Sequence, residues 1–450
     1  MCNYCLDMSL FTAAFKYVKI IPVFKKGSKL DLNNYRPISL IPAMSKVFEI
    51  LLNRQIYDYF EENSLFSKTQ FGFRSSHCTI DAVKSLITRC FDSLESGKFV
   101  SSRFFDLSKA FDTVFYNILV KKLSYYGFSS NSTAFLNSYL SNRYQSVYLH
   151  PGNISEYKLL KYGVPQGSVL GPVLFIIYIN DLPSFIRNEC LESYMFADDL
   201  AINVICETNN TINMKVENIS DKVKTWCSAN NFSLNTNKTE NINFNVGLSS
   251  TENSVRFLGI HLESGLGWLT HVNHIAKRIS SSIFMLRILK KHVTIESLIT
   301  VYYGHIHSHM NYGVLLWGNH TSAHHIFLLQ KRAVRLIYGV TQTTHCKPLF
   351  IKSNILTLPS MFVLACLLHV KQNITKFTTC DSIHNYSTRN SYNLYVNKCK
   401  YTKTQKNFHI ISINLFNHLA PKVKNLPYDA FKRRVRAALL AASLYKVEDF

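Results

Sequence analysis

Three acidic side chains stand where the residues around them call for burial. Asp106 closes an apolar, strand-like stretch in SRFFDLSKAFD (102–112), and Asp198 and Asp199 lie inside YMFADDLAI (194–202). An isolated carboxylate is costly to bury, and two adjacent ones repel. A fold that keeps all three must supply positive charge beside them. Two Mg²⁺ ions held by three carboxylates would do so, and could activate a hydroxyl nucleophile and neutralise a triphosphate for in-line attack. The plainer alternative makes Asp198–Asp199 a hairpin turn and Asp106 a helix cap. For either motif alone that alternative is preferred, because short motifs match by chance.

The flanking pattern predicts mixed helices and short strands. Lys19–Phe24 (KIIPVF) reads as a strand, followed by a basic, turn-rich loop over 25–36. Ser45–Phe60 has helical apolar spacing at Val47, Ile50, Leu51 and Ile56, and Thr79–Leu94 also reads as a helix. Phe99–Leu107 alternates as a strand and leads into a helical stretch, Ala110–Leu123. Gly163–Gly167 (GVPQG) is a loop before an apolar helix at Ser168–Ile179. The flanks of Asp198–Asp199 predict a hairpin with both acids at its tip. Non-repeating strands among helices predict an α+β fold. After Trp268 the pattern is helical. Thr270 is the expected N-cap of a helix with Val272, Ile275, Ile279, Ile283 and Leu286 on its apolar face. Further helices are expected from Thr294, at Ala323–Tyr338 and at Tyr428–Leu440.

The net charge is +22, which implies a polyanionic partner. It is unevenly spread: residues 1–269 carry a net of +3, residues 270–340 +7 and residues 341–450 +12. The first stretch therefore reads as a nearly neutral globular part with useful carboxylates, and the rest as a polyanion-binding extension. No basic n-region precedes the first apolar residues, and no apolar run approaches the length needed to span a bilayer. The 11 cysteines lack a second CxxC pair to join Cys2 and Cys5, so they read as reduced thiols. The expectation is an intracellular protein, in nucleus or cytoplasm, neither secreted nor in a membrane.

FFDLSKAFDTV (104–114), GVPQGSVLGPVLFIIYINDL (163–182) and FADDLAI (196–202) resemble, in order and spacing, the A, B and C motifs of reverse transcriptases from non-LTR (LINE-type) retrotransposons. IIPVFKKGSKLDLNNYRPISL (20–40) and QFGFR (70–74) resemble that family's fingers motifs, WCSANNFSLNTNKT (226–239) its motif D and VRFLGIHLESGLGW (255–268) its motif E. LLWGNHT, LQKRAVRLIYG and CKPLF are similar to jockey-like elements. One Asp-Asp pair is weak as a signature, whereas seven motifs in register are specific. The chain departs from the family in having Phe115 and Tyr116 where Asp-His is usual, and Cys78 and Thr79 where Ser-Thr is usual.

The resemblance implies a right-hand polymerase. Residues 1–18 would be a truncated N-terminal lead, 19–268 fingers and palm, 269–340 a helical thumb, and 341–450 a mainly helical, basic extension. It implies an RNA-directed DNA polymerase that uses two Mg²⁺ ions, with Mn²⁺ as the alternative, an RNA template, a DNA primer or target, and deoxynucleoside triphosphates. Asp106, Asp198 and Asp199 would be the metal ligands. Phe111 would be the gate that excludes a 2′-OH, or else a core phenylalanine. Gln166 and Gly167 would touch nucleotide and template, or form an ordinary turn. Lys238 would protonate leaving pyrophosphate, or be a solvated loop lysine. Lys25, Lys26, Arg36 and Arg74 match fingers positions from which some should bind phosphates. Residues 341–450 contain only Asp381, Asp429, Glu448 and Asp449 as acids, a poor set for an RNase H site. The chain alone is expected to polymerise without nicking its target. Two other readings stay open: a decayed or co-opted binding remnant, and a viral RNA-dependent RNA polymerase, whose usual Gly-Asp-Asp is Ala197-Asp198-Asp199 here.

Overall fold

A computed structural model describes residues 2–108, 110–149, 152–187, 191–245, 247, 253–383 and 392–450. The fold is α+β, and the chain divides into two compact units: residues 1–82 with 101–241, and residues 83–100 with 242–450.

The strands that shape the first unit are β1 (Tyr17–Phe24), β2 (Tyr35–Leu40), β3 (Phe99–Ser108), β4 (Arg143–Leu149), β5 (Asn153–Ile154), β6 (Lys158–Leu160), β7 (Leu191–Phe196), β8 (Asp199–Cys206) and β9 (Ser233–Leu234). β1 is antiparallel to β2, with Lys19 opposite Leu40, and parallel to β4, with Tyr17 opposite Tyr144. In a second sheet β8 lies between β3 and β7, and β9 pairs with the end of β3. The helix Leu170–Tyr178 (LGPVLFIIY) is apolar around its whole circumference, and all its described side chains but Pro172 are buried. A helix of that kind belongs inside a core. Phe105, Leu107, Leu200, Ile202, Val223 and Trp226 share that core with it.

Two local expectations are corrected in this unit. The helix Ala43–Glu62 exposes Val47, Ile50 and Leu51 and buries Phe48, Glu49, Leu52, Ile56 and Phe60. Of the four apolar positions that mark the helix in the sequence, only Ile56 faces inward. The buried Glu49 lies on the inward face, where it serves the start of the helix Leu170–Tyr178. The expected helix over 110–123 is also broken. A 3-10 turn, Ala110–Thr113, is followed by an extended Phe115 and then the helix Tyr116–Tyr125. The carbonyls of Phe111 and Val114 accept from Val164 and Gly163, both at 2.8 Å, so the GVPQG loop takes the hydrogen bonds a continuous helix would use.

The second unit is mainly helical and includes a hairpin at Ser254–Phe257 and Ile260–Glu263. Val272, Ile275, Ile279, Ile283 and Leu286 all face inward from the helix Leu269–Leu289. Its N-cap is Trp268, not Thr270. The Thr270 N–H is bonded instead to the Glu263 carboxylate at 2.5 Å, so a side chain from the hairpin serves the helix start. Thr294 does cap its helix, accepting from the Ser297 N–H, and Gly339 ends Ala323–Tyr338 at φ +70°. Gln330 is fully buried between helices: its Nε2 donates to Tyr302 Oη and Leu356 O, and its Oε1 accepts from Leu358 N–H. That ties residues on both sides of position 340 into one core. No helix among the described residues is long and apolar enough to cross a membrane.

Candidate active site

β7 and β8 form a hairpin in which Phe196 faces Asp199, leaving Ala197 and Asp198 as the turn. Asp199 thus opens β8, while Asp198 stands at the tip. Asp106 lies near the end of β3 in the same sheet. Burial raises the Asp198 carboxyl above its usual range, and Asp106 raises it further, against an opposing pull from its own backbone N–H, Lys25 and Arg36. Burial likewise pushes Asp199 up to about 6, with Asp198 and Asp106 adding repulsion and Lys25 relieving it. The three acids therefore sense one another, and the site is short of positive charge.

Part of that charge comes from Lys238. β9 pairs with β3 through Leu107 opposite Leu234, and the Asn235 N–H donates to Asp106 O at 3.0 Å. The turn Thr236–Lys238 follows at once, and Lys238 Nζ donates to Asp106 Oδ2 at 3.0 Å. Among the described residues no group of three or more His, Cys, Asp or Glu is gathered closely enough to hold a metal ion. The donor set itself, three mutually repelling carboxylates with two of them half-desolvated, has the chemistry that suits a divalent cation.

A cleft of about 1120 Å³ joins the acids to the other expected residues. Asp106, Asp198 and Lys238 line it together with Lys25, Arg36, Phe111, Gln166 and Gly167. Lys29 and Asp112, which were not singled out from the sequence, line it too. Lys26, Arg74 and Asp199 are not among the lining residues. Arg74 is engaged elsewhere: its guanidinium grips both carboxylate oxygens of Glu61 at 2.9 and 2.7 Å and donates to Ser67 O. Phe111 has two faces. One borders the cleft, and the other stacks on the core residue Phe175 with ring centroids 4.3 Å apart.

The loop carrying Gln166 and Gly167 is fixed from three sides. Ser39 N–H of β2 donates to Gln166 O at 2.7 Å. Gln166 Nε2 donates to Asp112 Oδ1 at 2.8 Å. Gly167 sits at φ +102°, and a Cβ there would lie 3.0 Å from Ser39 O, so a side chain would push the loop off the sheet. Below the loop, Glu49 Oε2 accepts from Val169 N–H at 2.8 Å and Leu170 N–H at 3.4 Å. It therefore caps the buried helix Leu170–Tyr178 from another helix, which is why it faces inward. The sequence signal for Glu49 was a charge on the stripe Ser45, Phe48, Leu52, Ile56, legible only once that stripe is known to be the buried one.

The profile of one protein family, reverse transcriptase (RNA-dependent DNA polymerase), matches residues 23–262, more than half of the chain. The chain belongs to that family. Reverse transcriptases use divalent metal ions, and the matched span contains Asp106, Asp198 and Asp199. Among curated proteins the chain is similar to the probable RNA-directed DNA polymerase from transposon X-element of Drosophila melanogaster, 28% identical over 365 residues, covering 75% of this chain and 39% of that protein. It is also similar to the one from transposon BS of the same fly, 28% identical over 379 residues, covering 76% and 41%. The RNA-directed DNA polymerase from mobile element jockey of that species is 25% identical over 360 residues, covering 75% and 39%. The chain thus spans about two fifths of the length of these relatives.

Phe111 lends itself to a direct test on a reverse transcriptase. If the ring closes the space beneath the sugar, Phe111→Val should raise incorporation of ribonucleotide relative to deoxyribonucleotide by about 10-fold or more, a difference of about 1.4 kcal/mol. Competing-nucleotide extension measures the ratio. Unchanged selectivity with retained activity would leave Phe111 as packing for Phe175.

Proposed function

We propose that this chain is an RNA-directed DNA polymerase that copies retrotransposon RNA from a primer 3′-OH. The observation that carries the reading is the single cleft in which Asp106 and Asp198 share a wall with Lys25, Arg36, Phe111 and Gln166. Residues 19–268 would serve as fingers and palm, 269–340 as thumb, 341–450 as a basic extension and 1–18 as a lead. The substrates would be an RNA template, a DNA primer or target, and deoxynucleoside triphosphates, inside the cell.

Asp106, Asp198 and Asp199 would hold two Mg²⁺ ions, which supply charge for activating the 3′-OH and for the triphosphate. Lys25 and Arg36 attract the triphosphate by charge; both draw the Asp198 carboxyl down against the rise that burial imposes, and Lys25 does the same for Asp199. Phe111 sets the floor under the sugar. The loop at Gln166–Gly167 offers backbone and amide contacts to the nucleotide and template. Lys238, ion-paired with Asp106, is the acid assigned to the leaving pyrophosphate.

Primer extension on poly(rA) with an oligo(dT) primer tests the reading. Incorporation of dTTP that depends on Mg²⁺ or Mn²⁺ is the expected result. Binding without extension in either ion would replace it with a nucleic-acid-binding remnant. A preference for ribonucleotides would replace it with an RNA polymerase.

A further inference from the structure

We infer that Gln70 is a positioning residue for the Asp198–Asp199 pair, acting through the turn that carries them. The inference rests on the polymerase reading only for its activity arm. A two-residue turn is a weak mount for a catalytic acid, because it has few contacts of its own. Ala197 adds to the difficulty: it sits at φ +54°, a region that residues with a Cβ rarely enter. Something outside the hairpin must hold that conformation.

The segment at 69–72 does so. Met195 N–H donates to Thr69 O and Phe71 N–H donates to Met195 O, both at 2.8 Å, so the segment lies parallel against β7 as a short extra rung. Between these bonds the Gln70 side chain is wholly buried. Its Oε1 accepts from Gly72 N–H at 2.7 Å and from Ala197 N–H at 3.1 Å. The amide orientation is chemically fixed, since both neighbours are N–H donors and only the oxygen can serve them. Gln70 Nε2 is buried without a hydrogen-bond partner. A residue kept only for bulk would avoid that cost. Gly72 completes the fit, for a Cβ there would lie 2.3 Å from Ala197 N and 2.9 Å from Phe196 C. The segment is anchored in turn by Arg74 on Glu61 of the helix Ala43–Glu62.

Ala197 N–H belongs to the residue just before Asp198. Rotation of that peptide swings both carboxylates, and phosphoryl-transfer geometry tolerates little displacement. Gln70 therefore acts on the reacting groups without touching substrate.

Two variants and two readouts test this. Gln70→Met keeps length and bulk but has no acceptor. Gln70→Glu keeps the acceptor oxygen. Amide exchange over 194–200 should quicken in Gln70→Met by about 10-fold or more and return towards wild type in Gln70→Glu. In primer extension, Gln70→Met should lower kcat by about 10- to 100-fold while leaving the affinity for template–primer unchanged. Wild-type exchange at the turn as fast as in open loops would overturn the inference even if neither variant folds. So would wild-type kcat in a folded Gln70→Met. An inactive wild type with a protected turn would sink the polymerase reading and leave the brace standing.

Discussion

Asp198→Asn is expected to lower divalent-dependent primer extension by at least about 10³-fold while the protein stays folded. The carboxylate is replaced by a neutral amide of the same shape, so a ligand and a charge are lost together. The stability effect should have the opposite sign. The folded-state pKa of Asp198 is raised, so the folded protein binds its proton more tightly than the unfolded chain does. Ionising the group as pH rises from its usual range through the raised folded value therefore costs stability, and the cost persists at neutral pH. Asn removes it. Without divalent ions the variant should melt at or above the wild-type temperature near pH 7, and added Mg²⁺ should stabilise it less than wild type. Near wild-type extension by the variant would end the carboxylate assignment, and a large drop in melting temperature would mean that Asp198 serves the fold.

Neutralising the basic helix Tyr428–Ala442 is expected to weaken nucleic-acid binding by about 10²- to 10³-fold at moderate salt. The helix buries Phe431, Val435 and Leu439 and exposes Lys432, Arg433, Arg434 and Arg436. Replacing those four with Gln leaves its packing intact. Shortening the chain at Gly339 would not, since Gln330 is bonded to Leu356 and Leu358. Each phosphate contact releases about 0.9 of a counterion, so loss of three or four contacts should flatten the slope of log K against log salt by about 3. The loss should be much the same for every sequence, because point charges meet phosphates and not base edges. An unchanged slope would make these side chains a solvated surface and nothing more.

Much of this could be read from the linear chain because its signals are local. The acids in apolar runs marked the hairpin, and the stripe Val272 to Leu286 marked a buried helix face. Motif order placed Asp106, Asp198, Lys238, Phe111 and Gln166 in one family, and all five line one cleft. Other features depended on partners far along the chain. The resemblance groups Arg74 with Lys25, Lys26 and Arg36 as fingers residues, but its guanidinium is bonded to Glu61. The stretch 110–123 has the composition of one helix, yet its carbonyls serve the GVPQG loop. Glu49 faces inward because two N–H groups 120 residues away need an acceptor. Gln70 faces inward because a strained turn needs one as well. The sequence by itself determined which residues carry charge and which segments must be buried, since both follow from side-chain chemistry and period. Only the tertiary structure decided which buried polar atoms meet, because an unpaired N–H or carboxylate is satisfied by whatever the fold brings beside it.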